Sequence, residues 1–422
     1  MTNRDSNFAV PLADMLSAHR VLQEVIAPTP LQHNRALSAK FDCNVYLKRE
    51  DLQIVRSFKI RGAYNLIASL SDEERASGVV CASAGNHAQG VAYSCQKLGI
   101  QGIIYMPATT PRQKINQVKL FGGEYVDVRL IGDTFDDAYA EAIRASREQS
   151  MPFVHPFDDA RIVAGNATVG KEIVEAGVHP IDVLLLTVGG GGLAAGVAAY
   201  VKAISPDTRI IGVEPEGAPS MRTALNHGTV LTLDEIDKFV DGAAVKRVGD
   251  LTFEICRELL DDVAVVPEGR VCTTILELYN EHAIVAEPAG ALTVAALSGL
   301  DPESIRGKNV VCVISGGNND IDRMQEIKER SLMYEGLKHY FMINFPQRAG
   351  ALREFLDDVL GPSDDIVQFE YTKKHNKENG PALVGIELKS REDYDPLVGR
   401  MQRKGFQFVE LNKDPLLFNL LI

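Results

Sequence analysis

Ser57-Phe58-Lys59-Ile60-Arg61-Gly62 sets a lysine directly after an aromatic residue. A strand-like run, Asn44-Val45-Tyr46-Leu47-Lys48, precedes it and a helix-like one, Ala63-Tyr64-Asn65-Leu66-Ile67, follows. A lysine held on an ordered turn between strand and helix loses part of its hydration. Desolvation lowers its pKa and frees the lone pair that condenses with a carbonyl. Taken alone, the same residues also read as a basic surface patch of Lys59, Arg56 and Arg61. Three further motifs decide between these readings.

The first is Ser83-Ala84-Gly85-Asn86-His87-Ala88-Gln89-Gly90, after the apolar strand Gly78-Val79-Val80-Cys81-Ala82 and before the helical run Val91 to Cys95. Small residues and an asparagine at a strand's carboxyl end let donors approach a ligand closely. They also suit a plain loop with a helix cap. The second is Gly189-Gly190-Gly191-Gly192-Leu193, between the buried strand Asp182 to Val188 and a helix starting at Leu193. Four glycines at a helix N-terminus present unobstructed N–H donors in a positive potential, which suits a phosphate. The spacing is neither a dinucleotide fingerprint nor a nucleoside-triphosphate loop. The third is Val310-Val311-Cys312-Val313-Ile314-Ser315-Gly316-Gly317-Asn318-Asn319, where a strand delivers a hydroxyl beside two glycines.

In this order the four pieces resemble the fold-type II pyridoxal-phosphate enzymes, and within them the threonine and serine dehydratases, over residues 10 to 330. The resemblance makes Lys59 the Schiff-base lysine and Phe58 a residue packed near the cofactor. It gives Asn86 the hydrogen bond to the ring's phenolic oxygen, and Gly189, Gly190, Gly191, Gly192 and Leu193 the phosphate. Ser315 faces the pyridine nitrogen, and Glu287, in Glu287-Pro288-Ala289-Gly290-Ala291, lies near the ring. Ser83, Ala84, Gly85 and His87 fall to substrate binding. A neutral Ser315 implies a weak electron sink, which favours elimination over transamination. Related serine racemases place a serine at Ala84; alanine has no proton to give, so little racemisation is expected.

Composition fits such an enzyme. The chain has 422 residues, 45% of them apolar, room for two or three domains around a large core. A net charge of −13 argues against nucleic acid or an anionic membrane as partner. Six scattered cysteines read as buried thiols in a reducing compartment. Met1 to Asn7 lack an apolar signal core, so a cytoplasmic protein is expected. Val183 to Val201 carry no charge, but their central glycines favour strand, loop and helix over a membrane span.

Strands and helices alternate from about residue 40 to 320, which implies βαβ units and mostly parallel sheets. The resemblance divides this α/β catalytic domain, residues 1–330, into two subdomains, the smaller spanning about 55–155. Asp322 to Arg330 reads as a charged helix ending it. Residues 335–422 then follow a βαββαβ order, an α+β ferredoxin-like pattern. Its strands are Lys338 to Phe345, Asp365 to Lys373, Leu383 to Lys389 and Gln407 to Leu411. Its helices are Ala351 to Leu360 and Tyr394 to Arg403, with hairpin signals at Asn376 to Gly380. This tail resembles the ACT-like regulatory domain of biosynthetic threonine dehydratases. That implies dehydration of L-threonine, and less well L-serine, in a homotetramer inhibited by L-isoleucine, with L-valine a candidate counter-effector.

Rival readings are a catabolic serine/threonine dehydratase, a β-replacement enzyme on the same cofactor, and an amino-acid sensor on an inactive fold. Glu214 matches a position that binds a divalent ion in some racemases, but a lone carboxylate makes a weak site, and no metal is expected. His155, in Phe153-Val154-His155-Pro156-Phe157-Asp158, resembles a substrate-side loop without an assigned role.

Overall fold

The computed structural model describes residues 10–373 and 377–421. Met1 to Asn7 and Asn376 lie outside the described residues. The chain forms two compact units that divide between Asp320 and Ile321.

The first unit carries two sheets. The larger has the strand order Leu31–His33, Asn44–Arg49, Asn309–Ile314, Val183–Thr187, Arg209–Pro215, Asp262–Val266. Leu31–His33 is antiparallel to its neighbour, and the other pairs are parallel. Val183–Thr187 is buried at every position, as a strand covered on both faces should be. The smaller sheet, Val79–Ala82, Gly102–Met106 and Val126–Leu130, is wholly parallel. Val80 also pairs with Phe153, so the segment before His155 runs along this sheet.

Three helices pack on one another: Lys59–Ala68, Ala160–Glu175 and Gly192–Ile204. They cross at glycines. A Cβ on Gly165 would lie 2.4 Å from the Arg61 carbonyl oxygen, and one on Gly196 2.4 Å from that of Val163. Close backbone approach therefore fixes the helix bearing Lys59 against the layer that follows the glycine loop. The uncharged run Val183 to Val201 resolves into strand, bend and helix. Among the described residues no helix is long and apolar enough to cross a membrane. All six cysteines are free and buried.

The second unit is a four-stranded antiparallel sheet, ordered Asp365–Tyr371, Asn379–Glu387, Lys338–Pro346, Gln407–Glu410. With the helices Ala351–Asp358 and Tyr394–Arg403 it makes the ferredoxin-like arrangement the sequence implies. Phe341, Ile343, Phe345, Val384 and Ile386 pack with Phe355, Leu397 and Met401 from the helices. Two features differ from expectation. A final helix, Pro415–Leu421, was not foreseen. The helix Met324–Tyr334, read as the end of the first domain, belongs to the second unit, because Glu329 accepts hydrogen bonds from Lys338 and Tyr340 of its sheet.

Candidate functional site

The strands Asn309–Ile314 and Val183–Thr187 are parallel neighbours, so they deliver Ser315 and the glycine loop side by side at their carboxyl ends. The Lys59 stretch docks onto the first of these. Phe58 N donates to the Ser315 carbonyl at 3.1 Å, Gly317 N to the Arg56 carbonyl at 2.9 Å, and Ser57 pairs with Gly316. Lys59 is thus the first residue of its helix rather than part of a strand-to-helix turn. Its Nζ donates to the Pro156 carbonyl at 3.0 Å and sits 5.4 Å from the centre of the Phe58 ring. Burial pushes its pKa down to about 8, against the opposing pull of Glu287.

Asn86 opens the helix Asn86–Leu98. Its Nδ2 donates to Glu287 at 2.6 Å and its Oδ1 accepts from Asn318 Nδ2 at 2.7 Å. Asn318 donates also to the Val55 carbonyl at 2.9 Å, which fixes its own orientation. Glu287 is buried, and burial, helped by Asp241, pushes its pKa up to about 7. A Cβ on Gly316 would meet the Glu287 carboxylate at 2.3 Å. Lys59, Ser315, Asn86 and Glu287 therefore converge, and Asn318 joins them. The sequence shows Asn318 only as one of two asparagines after the glycines, with nothing to distinguish it from Asn319.

The glycine loop is confined on three sides. A Cβ on Gly190 would come within 2.3 Å of the Phe157 ring, one on Gly189 within 2.9 Å of Ala243 Cα, and one on Gly191 within 2.8 Å of Thr252 Oγ1. Gly191 also adopts a φ of +93°, which favours glycine. Thr252 Oγ1 donates to the Gly190 carbonyl at 2.6 Å, holding the bend at the N-terminus of Gly192–Ile204. The Leu193 side chain is committed to the core, so only its backbone faces the bend's function. Gly190→Ala is expected to cost about 1–3 kcal/mol by overpacking, read as a lowered urea midpoint.

Ser83, Ala84 and Gly85 lie half-buried between strand and helix, and a Cβ on Gly85 would meet nothing within 4 Å. His87 points elsewhere. Its Nε2 donates to the Val154 carbonyl at 2.8 Å, and burial, with Lys59 nearby, pushes its pKa down to about 3. This ring is a neutral strut between helix and segment. Glu214 accepts from Met221 N and Arg222 N at 2.7 and 2.8 Å, starting a helix.

The residues present fit pyridoxal phosphate. A glycine cradle at a helix N-terminus suits the phosphate, and a partly deprotonated lysine suits the aldehyde. Ser57 Oγ, fully buried beside Gly316, lacks a hydrogen-bond partner, as expected of a polar atom facing a ligand site.

Residues 22–316 match the family described as pyridoxal-phosphate dependent enzyme, and residues 329–421 the C-terminal regulatory domain of threonine dehydratase. The chain is 61% identical over 413 residues to the L-threonine dehydratase biosynthetic IlvA of Halalkalibacterium halodurans, covering 98% of this chain and 99% of that protein. It is 60% identical to the protein of the same name in Bacillus subtilis, covering 99% and 98%. The processed form of threonine deaminase isoform 2 from Solanum lycopersicum superposes with a TM-score of 0.73 at 41% identity, over 76% of this chain and 87% of that one. Maize serine racemase superposes with a TM-score of 0.71 at 29% identity, over 78% and 99%. With motifs, fold and full-length similarity in agreement, the chain belongs to the pyridoxal-phosphate dependent enzymes and, among them, to the biosynthetic threonine dehydratases.

Proposed function

We propose that this protein converts L-threonine to 2-oxobutanoate and ammonia, accepts L-serine less well, and is inhibited by L-isoleucine. The observation that carries the chemistry is the Lys59 amine, its pKa lowered to about 8, held 3.0 Å from the Pro156 carbonyl where Asn86, Glu287 and the glycine bend meet. Lys59 would hold the cofactor's aldehyde carbon, Gly189 to Leu193 its phosphate, Asn86 its phenolic oxygen and Ser315 its pyridine nitrogen, with Phe58 packed alongside. Bound there, pyridoxal phosphate supplies a conjugated ring that spreads the charge left when the substrate loses its α-proton. Lys59 Nζ takes that proton; donating one N–H to Pro156 steadies the amine for the transfer. Ser83, Ala84 and Gly85 border the substrate, and Ala84 offers no proton for return to the opposite face. Water leaves from Cβ, and hydrolysis then releases ammonia.

Catalysis is assigned to the first unit, with a smaller subdomain at about 55–155, and regulation to the second unit, the helix Met324–Tyr334 included. The acidic charge and the free buried thiols favour a cytoplasmic enzyme, and the family resemblance a homotetramer. L-valine is the candidate opposing effector. An absorbance spectrum of the purified protein, with 2-oxo acid detection, tests the reading. We expect a visible cofactor band, 2-oxobutanoate formed on adding threonine, and inhibition by isoleucine. No threonine-dependent 2-oxo acid would overturn it.

A further inference from the structure

Residues 153–158 touch Lys59, His87 and the glycine loop, and of them only the Pro156 carbonyl has a part in the proposed chemistry. Val154 accepts from His87 at 2.8 Å, and Pro156 from Lys59 at 3.0 Å. Phe157 walls the glycine loop at Gly190 and Gly192. The Asp158 carboxylate accepts the N–H groups of Asp250, Leu251 and Thr252 at 3.0–3.2 Å, capping the helix whose Thr252 grips Gly190. At the centre is His155. Its Nδ1 accepts from Asp158 N at 2.7 Å and from Phe157 N at 3.3 Å, and its ring stands perpendicular to Phe157 at 4.7 Å. Both backbone groups donate, so Nδ1 must carry no proton.

We propose that His155 is a positioning residue for Lys59: its unprotonated Nδ1 holds the turn that presents the Pro156 carbonyl to the Lys59 amine and lays Phe157 against the glycine loop. This rests on the reading of Lys59 as the reactive amine. Protonating the imidazole replaces an acceptor with a donor facing two N–H groups, and the turn loses its tie. The surroundings oppose that change. Burial, the largest influence, lowers the His155 pKa, and Lys59 lowers it further; Asp158 and Asp159 act the other way. His87, the other titratable group nearby, is itself held neutral. With the folded-state pKa below the ordinary 6.5, the contribution is present above pH 6.5 and is lost as pH falls through the folded value.

The test compares two variants of the full-length holoenzyme. In His155→Asn the side-chain oxygen stands near the position of Nδ1 and does not titrate; His155→Ala has no acceptor. We expect His155→Asn to keep kcat within about threefold of the parent at about pH 8. His155→Ala should lose kcat about 30-fold, with KM changed less than about threefold, the pattern of a misplaced reacting group. Between about pH 7.5 and 5.5, the parent's melting temperature should fall about 2 °C more than that of His155→Asn. Parent-like kcat in His155→Ala, equal damage in both variants, or identical pH dependence of melting in parent and His155→Asn would each overturn the proposal. If the parent makes no 2-oxobutanoate, the functional reading fails, and the melting comparison still decides the role of His155. Should His155→Ala not fold, the comparison of His155→Asn with the parent decides it.

Discussion

Lys59→Ala should reduce threonine turnover by at least about 10⁴-fold, because one side chain both anchors the cofactor and moves the α-proton. Between cofactor-free proteins, the same substitution should leave the melting temperature within about 2 °C of the parent. Nζ makes one hydrogen bond, to Pro156, and burial already disfavours its charge, so little stability goes with it. Loss of activity with retained folding separates a chemical role from a structural one. In the cofactor-free parent, reconstitution with pyridoxal phosphate, read as the 2-oxo acid activity regained, should quicken with pH and level off above about 8, where the amine is neutral and can attack the aldehyde. Below that value the ammonium form has no lone pair to offer. A 2-oxo acid assay across pH, with calorimetry of both proteins, checks each part. Turnover within tenfold of the parent in Lys59→Ala would place the base elsewhere.

Most of the candidate site was legible because three of its four pieces sit where a strand ends. Buried strands announce themselves as apolar runs, and residues just beyond them are forced to the sheet's carboxyl edge, so Asn86, Gly189 to Gly192 and Ser315 could be read in order. Lys59 starts a helix ten residues past Arg49 and is carried there by the backbone bonds of its stretch to Ser315 and Gly317. Contacts made by distant segments were not legible. Thr252 grips Gly190 and Ala243 walls Gly189, yet nothing in the helix of the one or the turn of the other ties it to the glycine loop. Asp158 caps a helix that starts 92 residues later in the chain, and no local periodicity encodes such a pairing. The second unit was readable for the opposite reason. Its alternating strands and amphipathic helices are local signals, and only its edge moved, because Glu329 looks like one charge among many until Lys338 and Tyr340 stand beside it.

Arg61 shows the same limit most sharply, and carries the second large prediction. Beside Arg56 in sequence it reads as part of a basic surface, but it is 1% exposed. Its guanidinium donates to Glu50 at 2.7 and 2.8 Å, to Glu172 at 2.7 and 2.9 Å, and to Thr168 at 3.0 Å. Lys48 completes the cluster, pairing with Glu172 and donating to the Thr29 carbonyl at 2.7 Å. Two acids and two bases cancel. Burial alone would lower the Arg61 pKa, but Glu50 and Glu172 outweigh it and hold the pKa above its ordinary value. Arg61→Met therefore leaves two buried carboxylates facing one ammonium, and should destabilise the first unit by about 3–5 kcal/mol. Adding Glu172→Gln restores the charge balance and should recover about 1–2 kcal/mol, a coupling that urea unfolding of the parent, both single variants and the double variant would measure. The pH dependence has a definite sign. In the parent, burial raises the Glu172 pKa, but Arg61 and Lys48 outweigh it and lower it overall, so its contribution is present above the ordinary carboxylate range and lost as pH falls through the lowered value. Without Arg61 the carboxylates can shed their charge by protonation, so the deficit of Arg61→Met should narrow as the pH drops from about 7 to about 5. A deficit that stays constant with pH would mean that lost packing, rather than uncompensated charge, sets the cost.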